Sequence, residues 1–480
     1  MEKTISFLKK ERVIVLIFSL SLTLRVIFLS PWLEDWDSVQ FALALHNYSL
    51  VDHQPHPPGY PLYIVLGRIF NFFLNNDTLS LTFLSSALGA ASVIPLFLIL
   101  QCIVRRQIAI LLIIVFVVTP LHWSLSEVAL TNIPGMSFSI LTAWFLYRGW
   151  EVQKYLLIGG FLAGLILGVR FAEYSIVGTL LGLLLIYKRS FSDLLKSATL
   201  FLFGLSIWLV PLVIHTGLNN FWTAYTVHTQ YIINHDSIVQ YTSILDRLTR
   251  IWELFLMGYS PLFLPILGLG TWHLLKTIYL TCLASTPRGW VRLTRRENWP
   301  TLFSGVWLLS YLLPLIFIYN LEVPRHVLPL LPPLVLLAAI PIQKILMNKT
   351  VLVICIIMAA SLFVHSLEQV KKFRSIVPPT IAPVLYTKEN FDPKETTLIT
   401  TFTYRQFQYY APEFENYYGA KNTPSGISSP TVIIDYIGTK GNIPELTNYK
   451  IIETKEFSGP EDLFPRLSKT TLVILKRSTF

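Results

Sequence analysis

Cysteine is nearly absent. The 480 residues contain three, Cys102, Cys282 and Cys355, all inside apolar runs and none in the polar C-terminal stretch. That excludes a disulfide framework and gives no support to a cysteine zinc site. Charge is also sparse: 14% of residues are Asp, Glu, Lys or Arg against 53% hydrophobic, with a mean hydropathy of +0.55. Soluble domains carry about 25% charged residues, so a soluble enzyme is excluded. Acidic residues are the scarcer sign, 28 against 38 basic, leaving a formal net charge of +10. The basic residues sit in short clusters beside apolar runs, which is how membrane topology is encoded, and they offer no polyanion patch for nucleic acid. Low-complexity segments and transporter-type inverted repeats are missing too. The first apolar run is long, lacks a small-residue cleavage site and carries Arg25, so it reads as a retained helix and not a signal peptide.

What is present is a series of apolar runs from residue 12 to about 367. A helix needs about 20 apolar residues to cross a bilayer, and the runs predict about eleven spans. Lys3, Lys9, Lys10 and Arg12 place the N-terminus in the cytoplasm; Arg105 and Arg106, Lys188 and Arg189, Arg288 to Arg296, and Lys344 and Lys349 mark later cytoplasmic turns. The segment 58–75 contains Arg68 and Asn71, and letting it cross would invert every later span. It is therefore expected to lie on the outer surface, as is a short helix over SVQFALALHNY. Segments 122–135 and 217–250 are expected as further external loops, and 251–281 as one long apolar segment. After residue 369 the chain turns polar. TTLITTF, TVIIDYI, YKIIETKEF and TTLVILK read as strands and YRQFQYYAPEF as a helix, so residues 370–480 form a small extracytoplasmic α/β domain beside a membrane module of residues 1–369.

The titratable chemistry gathers in the loop 31–78, which includes WLEDWDSVQFALALHNYSLVDHQPHPPGYP. Asp37 sits beside Trp32, Trp36 and Phe41, where a partly desolvated carboxylate gains the basicity that proton abstraction needs. It is equally placed to cap the helix that follows. His56 precedes two prolines that fix the turn carrying it, so its imidazole is aimed either at a ligand oxygen or at solvent. His53 and His56 together are too little for a metal site. Arg170, in RFAE, and Arg325, in VPRHVLP, lie at helix ends, where charge beside apolar spans is costly and marks ligand sites or headgroup snorkelling. Glu127 lies in SEVALTNIP.

The order of these features resembles the GT-C membrane glycosyltransferases, in the branch related to protein O-mannosyltransferases and the aminoarabinose transferase of lipid A. That order is a first span, an Asp-containing loop, HPPGYP, alternating short spans and a late Arg phrase. Asp37-Ser38-Val39-Gln40 stands where relatives often carry Asp-Ser-Gly-Glu, and Asn132 where many carry Asp. The resemblance implies a GT-C-like fold and a polyprenyl-phosphate sugar as donor. Asp37 would be the base, and His56, Arg170 and Arg325 would hold the donor phosphate. A divalent metal, should one serve, would take Asp37 and Glu127; no cofactor is certain. The acceptor would be a glycan, lipid or protein outside the membrane, with the protein in a bacterial plasma membrane among its lipids. The competing class is a transporter or flippase of a lipid-linked saccharide, but the charges gather at outer helix ends and spare the midplane.

Overall fold

The computed structural model describes residues 12–478 apart from 189, 237–242, 283–297, 346–348, 420–421, 423–426, 437–445, 447, 462 and 465–466. Lys3, Lys9, Lys10, Arg189 and the basic run Arg288 to Arg296 lie outside the described residues.

The chain is mostly helical. Helix α1 (Arg12–Ile27) leads into a loop that carries α2 (Trp36–His46) and α3 (Pro61–Leu74). The apolar module continues through α4 (Asp77–Ala91), α5 (Val93–Ile103), α6 (Arg106–Val118), α7 (Pro120–Leu125), α8 (Asn132–Gly149), α9 (Gln153–Ile166), α10 (Tyr174–Lys188) and α11 (Phe191–Thr216). It is completed by α12 (Leu218–Tyr231), α13 (Ile244–Tyr259), α14 (Leu264–Cys282), α15 (Trp299–Phe317), α16 (Leu331–Ile345) and α17 (Lys349–Ser375). Length and apolarity single out five spans among the described residues, or six if a bent pair counts as one; other apolar helices are 10–17 residues long. Several apolar spans are therefore present, and among the described residues fewer reach full length than the eleven expected. Arg105 separates α5 from α6, where a turn was expected, and Thr119-Pro120 ends α6 after 13 residues. The apolar stretch 251–281 is not one segment: it bends by 95° where Ser260 takes φ 66 before Pro261.

Helix α3, for which a place on the outer surface was expected, is apolar on two faces. Tyr63, Ile64 and Gly67 face inward while Val65, Ile69, Phe72 and Phe73 are exposed, an apolar face that suits the edge of a bilayer. Arg68 turns back to donate to the carbonyls of Ala44 and Leu45, both at 2.9 Å, and so caps the end of α2. Two expected loops differ from prediction. Most of 122–132 is buried, with His122, Glu127 and Asn132 at most 5% exposed, and 217–250 contains α12 and the start of α13.

Beyond α17, which runs without interruption to Ser375, come α18 (Ala382–Asn390), β1 (Thr396–Thr400), α19 (Tyr404–Tyr410), β2 (Glu415–Tyr418), β3 (Thr431–Tyr436), β4 (Tyr449–Ser458) and β5 (Lys469–Arg477). The strands form one sheet in the order β2-β1-β3-β5-β4, parallel among β2, β1 and β3 and antiparallel at β5 and β4. Alternation sends Leu398, Ile433, Leu472 and Ile474 to the face that meets Phe407 of α19, and Ile399, Val432, Val473 and Leu475 to the other. Four strands and the helix follow the sequence reading; β2, ENYY, is additional.

This domain is fastened to the first loop. Tyr410 Oη accepts the Leu33 N–H at 2.8 Å, Thr380 and Gln406 donate to the Glu34 carbonyl at 2.9 and 3.0 Å, and Arg405 donates to the Asp52 carbonyl at 2.6 Å. Asp435 at the end of β3 holds the start of α19 by accepting from the Thr401, Phe402 and Thr403 amides at 2.6 to 2.9 Å.

Helices α9 and α11 touch backbone to backbone. A Cβ on Gly164 would meet the Phe201 carbonyl and one on Gly204 the Phe161 carbonyl. Gly164→Ala should therefore push the pair apart and cost about 1–3 kcal/mol, seen as a lower midpoint of thermal unfolding in detergent. An unchanged midpoint would contradict this packing.

Candidate active site

Asp35 and Asp37 open α2. Asp35, in extended backbone, accepts the Asp37 N–H on Oδ1 at 2.9 Å and is the N-cap. The capping role weighed for Asp37 thus falls on Asp35, while Asp37 stands in the first turn with its side chain 31% exposed.

Arg325 comes from the other end of the chain. It follows Pro324 in the 3₁₀ stretch Pro324–Leu330, and its guanidinium forks between the two carboxylates, with Nη1 to Asp35 Oδ2 at 2.5 Å and Nη2 to Asp37 Oδ2 at 3.3 Å. The segment that delivers it is pinned by α13: Arg247 donates to the Tyr319 carbonyl at 2.7 Å, Arg250 to that of Leu321 at 3.0 Å and Tyr259 to that of Val327 at 2.5 Å. Tyr319 and Leu321 lie in the irregular backbone between α15 and Pro324, and Val327 in the 3₁₀ stretch itself, so these donors satisfy carbonyls that regular structure leaves open.

His56 is aimed by a tight turn. Its carbonyl accepts the Gly59 N–H at 3.0 Å, Gly59 takes φ 97, and Tyr48 donates to the Gly59 carbonyl at 2.8 Å. Both ring nitrogens are engaged. Gln40 Oε1 already accepts the His56 backbone N–H at 3.1 Å, which fixes the amide's orientation, so Nδ1–H must donate to that same oxygen at 2.6 Å. Burial, opposed by Asp37, lowers the His56 pKa and keeps the ring neutral at pH 7. Nε2 is then the acceptor for the Tyr60 hydroxyl at 2.9 Å. Asp37 Oδ1 lies 3.6 Å from Nδ1.

Arg170 belongs to the same neighbourhood. It donates to Thr131 Oγ1 at 2.9 Å and lies 3.6 Å from Glu173, whose other oxygen accepts from Ser139 at 2.7 Å. Gly135 leaves the space through which its stem passes, since a Cβ there would come within 2.6 Å of Arg170 Cδ. Its charge acts on His56 and Tyr60, as does that of Arg325.

Asp37, His56 and Arg325 are thus brought together, while Arg170 contacts Thr131 and Glu173 and reaches the group through its charge. Glu127 lies apart: it sits at 1% exposure in a separate cluster, accepting from Trp123 Nε1 at 2.6 Å beside the charge of Arg25. Among the described residues no group of three or more His, Cys, Asp or Glu gathers as a metal site. Between Asp35 and Asp37 the position a cation would take is filled by Arg325. The sequence reading missed Asp35 as a partner of Arg325, Gln40 and Tyr60 as partners of His56, and His228 on α12, whose ring lies 5.3 Å from that of His56. It also passed over Glu34, whose Oε2 is buried with no hydrogen-bond partner among the described residues; burial and the neighbouring Asp35 charge push its pKa up to about 8.

Residues 55–215 match the family described as dolichyl-phosphate-mannose-protein mannosyltransferase. The protein O-mannosyl-transferase tmem260 of Dictyostelium discoideum is 28% identical over 129 residues, which are 25% of this chain and 15% of that protein, so the chain spans a small part of that relative's length. Among solved structures, ArnT from Cupriavidus metallidurans bound to undecaprenyl phosphate superposes with a TM-score of 0.57 at 9% identity, covering 97% of this chain and 98% of that one. The Archaeoglobus fulgidus oligosaccharyltransferase, in a complex with zinc and sulfate, gives 0.50 at 13% identity over 88% and 68%. The fold is that of the GT-C membrane glycosyltransferases, with a small C-terminal sheet domain.

Glu34 provides a pH test. The unfolded chain releases this proton near 4.5 and the folded one near 8, so the stability it contributes is complete below about pH 4.5 and is lost as pH rises to about 8. Glu34→Gln, which cannot ionise, should flatten that decline in the pH dependence of the unfolding midpoint; an unchanged slope would count against a protonated Glu34.

Proposed function

We propose that this protein transfers a sugar from a polyprenyl-phosphate donor to an acceptor hydroxyl on the extracytoplasmic side of a bacterial plasma membrane, with inversion at the anomeric carbon. The observation that carries this reading is the guanidinium of Arg325 lodged between Asp35 and Asp37, 288 residues from the latter. The reaction needs a base for the acceptor and positive charge for the departing phosphate, and this contact supplies both.

The two carboxylates are held unequally. Asp35 has the shorter contact and the cap, while Asp37 meets Nη2 at the long end of hydrogen-bonding range. A lipid phosphate presents oxygens that match the guanidinium fork. It would compete with Asp37 and not with Asp35 for Arg325, so donor arrival would turn Asp37 from ion-pair partner into base. Arg170 brings a second positive charge to the side of Tyr60 and His56. His56, with both nitrogens engaged, acts by positioning Gln40 and Tyr60 around the carboxylate. Apolar grooves between helices would take the isoprenoid chain. The sugar and the chemical nature of the acceptor, whether protein, lipid or glycan, follow from substrate screening.

The test is turnover of labelled polyprenyl-phosphate sugars, polyprenyl-phosphate mannose first, by the purified protein. Asp37→Asn should lower transfer by about 10²–10⁴-fold and leave binding of polyprenyl phosphate intact. Arg325→Ala and Arg170→Ala should each weaken that binding. Near-normal turnover in the Asp37 variant would reject it as the base, and uptake of the lipid-linked saccharide into proteoliposomes without sugar release would favour a flippase.

A further inference from the structure

Helix α12 stands over the first loop and buries little. Ala224 is its one buried residue among those described, while Leu218, Trp222, Val227 and Tyr231 are exposed. It is steered by its junction with α11, where His215 Nε2 lies 3.1 Å from the Tyr48 carbonyl and its ring packs on that of Tyr48. This sparsely packed helix nevertheless sets the His228 ring 5.3 Å from His56 and 5.8 Å from His53. Unlike the His56 ring, that of His228 makes no hydrogen bond among the described residues.

The charges differ between the two rings. His56 feels Asp37 and Asp35 as well as Arg325 and Arg170, whereas the charges that act on His228 are His56, His53 and Asp37, with no arginine among them. Asp37 itself turns Oδ2 to Arg325 and Oδ1 toward His56. One oxygen of the carboxylate thus meets the arginine, which suits a phosphate, and the other faces His56, with the His228 ring standing on beyond it.

We infer that His228 is a further substrate-contacting residue: its ring N–H holds the oxygen of the incoming hydroxyl on the face of Asp37 away from Arg325. This rests on the reading of Asp37 as base. In the step it serves, the acceptor oxygen bonds to the anomeric carbon and its proton passes to Asp37. The bond from that carbon to the phosphate oxygen breaks, and the lipid phosphate leaves with the electron pair. His228 neither gains nor loses a proton. It fixes one lone pair of the acceptor oxygen so that the other faces the sugar, an orientation effect. Burial, with His56 and His53 beside it, lowers its pKa to about 4, so the ring is neutral in the working range.

The experiment uses the full-length protein in nanodiscs with labelled polyprenyl-phosphate mannose and water as the acceptor, reading free mannose release, and measures polyprenyl phosphate affinity in parallel. His228→Phe should lower release by about tenfold or more while affinity for polyprenyl phosphate stays within about twofold, and His228→Gln, which keeps a donor, should recover much of the loss. A parallel fall in polyprenyl phosphate affinity would put His228 on the phosphate side and overturn the assignment. So would unchanged release in the Phe variant, or a Gln variant no better than Phe, which would mark a packing role. If the unaltered protein binds polyprenyl phosphate yet releases no sugar from any polyprenyl-phosphate hexose, the transfer reading falls and takes this assignment with it, a result distinct from any difference among variants.

Discussion

The contact between Arg325 and the Asp35–Asp37 pair constrains the whole molecule. Two carboxylates two residues apart, on side chains only 21% and 31% exposed, repel one another and lose hydration. One is offset by the orphan amides at the start of α2, which Asp35 caps, and both by a guanidinium that must come from a distant part of the chain. Removing the cation would leave buried negative charge, a loss on the order of 3–5 kcal/mol for a buried pair and less for one this exposed. The first loop and the 318–330 segment must therefore be held in register to within hydrogen-bonding tolerance.

That requirement accounts for polar contacts that would otherwise be out of place beside apolar helices. Arg247, Arg250 and Tyr259 secure the backbone that carries Arg325, Arg68 closes the end of α2, and Tyr48 locks the Gly59 turn behind His56. Each satisfies a carbonyl that irregular backbone leaves open, and each shortens the distance over which the loop can drift. The asymmetry between Asp35 and Asp37 follows from the same construction. The residue fixed by the cap makes the shorter contact to Arg325, and the one in the first turn the longer.

Much of this was legible in the sequence, and the parts that were not have definable causes. Apolar runs announced the helices of the membrane module, and β-branched runs announced four of five strands. The strand ENYY escaped because it is short, polar and without a β-branched residue, and α12 because Asn219, Asn220 and its threonines read as loop. The stretch around 122–132 looked like a loop because its His, Glu and Asn are polar; His122 finds its partner in Arg25, 97 residues away, which no local pattern reveals, and Glu127 in Trp123. Asp37, His56, Arg170 and Arg325 could each be nominated from type and position. Which of two acids caps α2, and that both nitrogens of His56 are spent on Gln40 and Tyr60, depend on side-chain geometry alone.

The C-terminal domain belongs to the same structural logic. A module that merely recruited an acceptor could hang from α17 by a tether, with no reason to grip the loop on both sides of the carboxylates. Here Tyr410, Thr380 and Gln406 take hold at Leu33 and Glu34, immediately before the pair, and Arg405 at Asp52, after α2. Trp36, next to Asp37, is enclosed by Tyr404 and Tyr418 with the Arg405 guanidinium 5.9 Å from its ring. Asp435 in turn fixes the start of α19, so the hydrogen-bonded path runs from the middle of the sheet to the residues flanking the carboxylates. The sheet domain thus braces the loop on both sides of the two acids, adding polar anchors to the apolar cluster that the loop forms with α3 and α4.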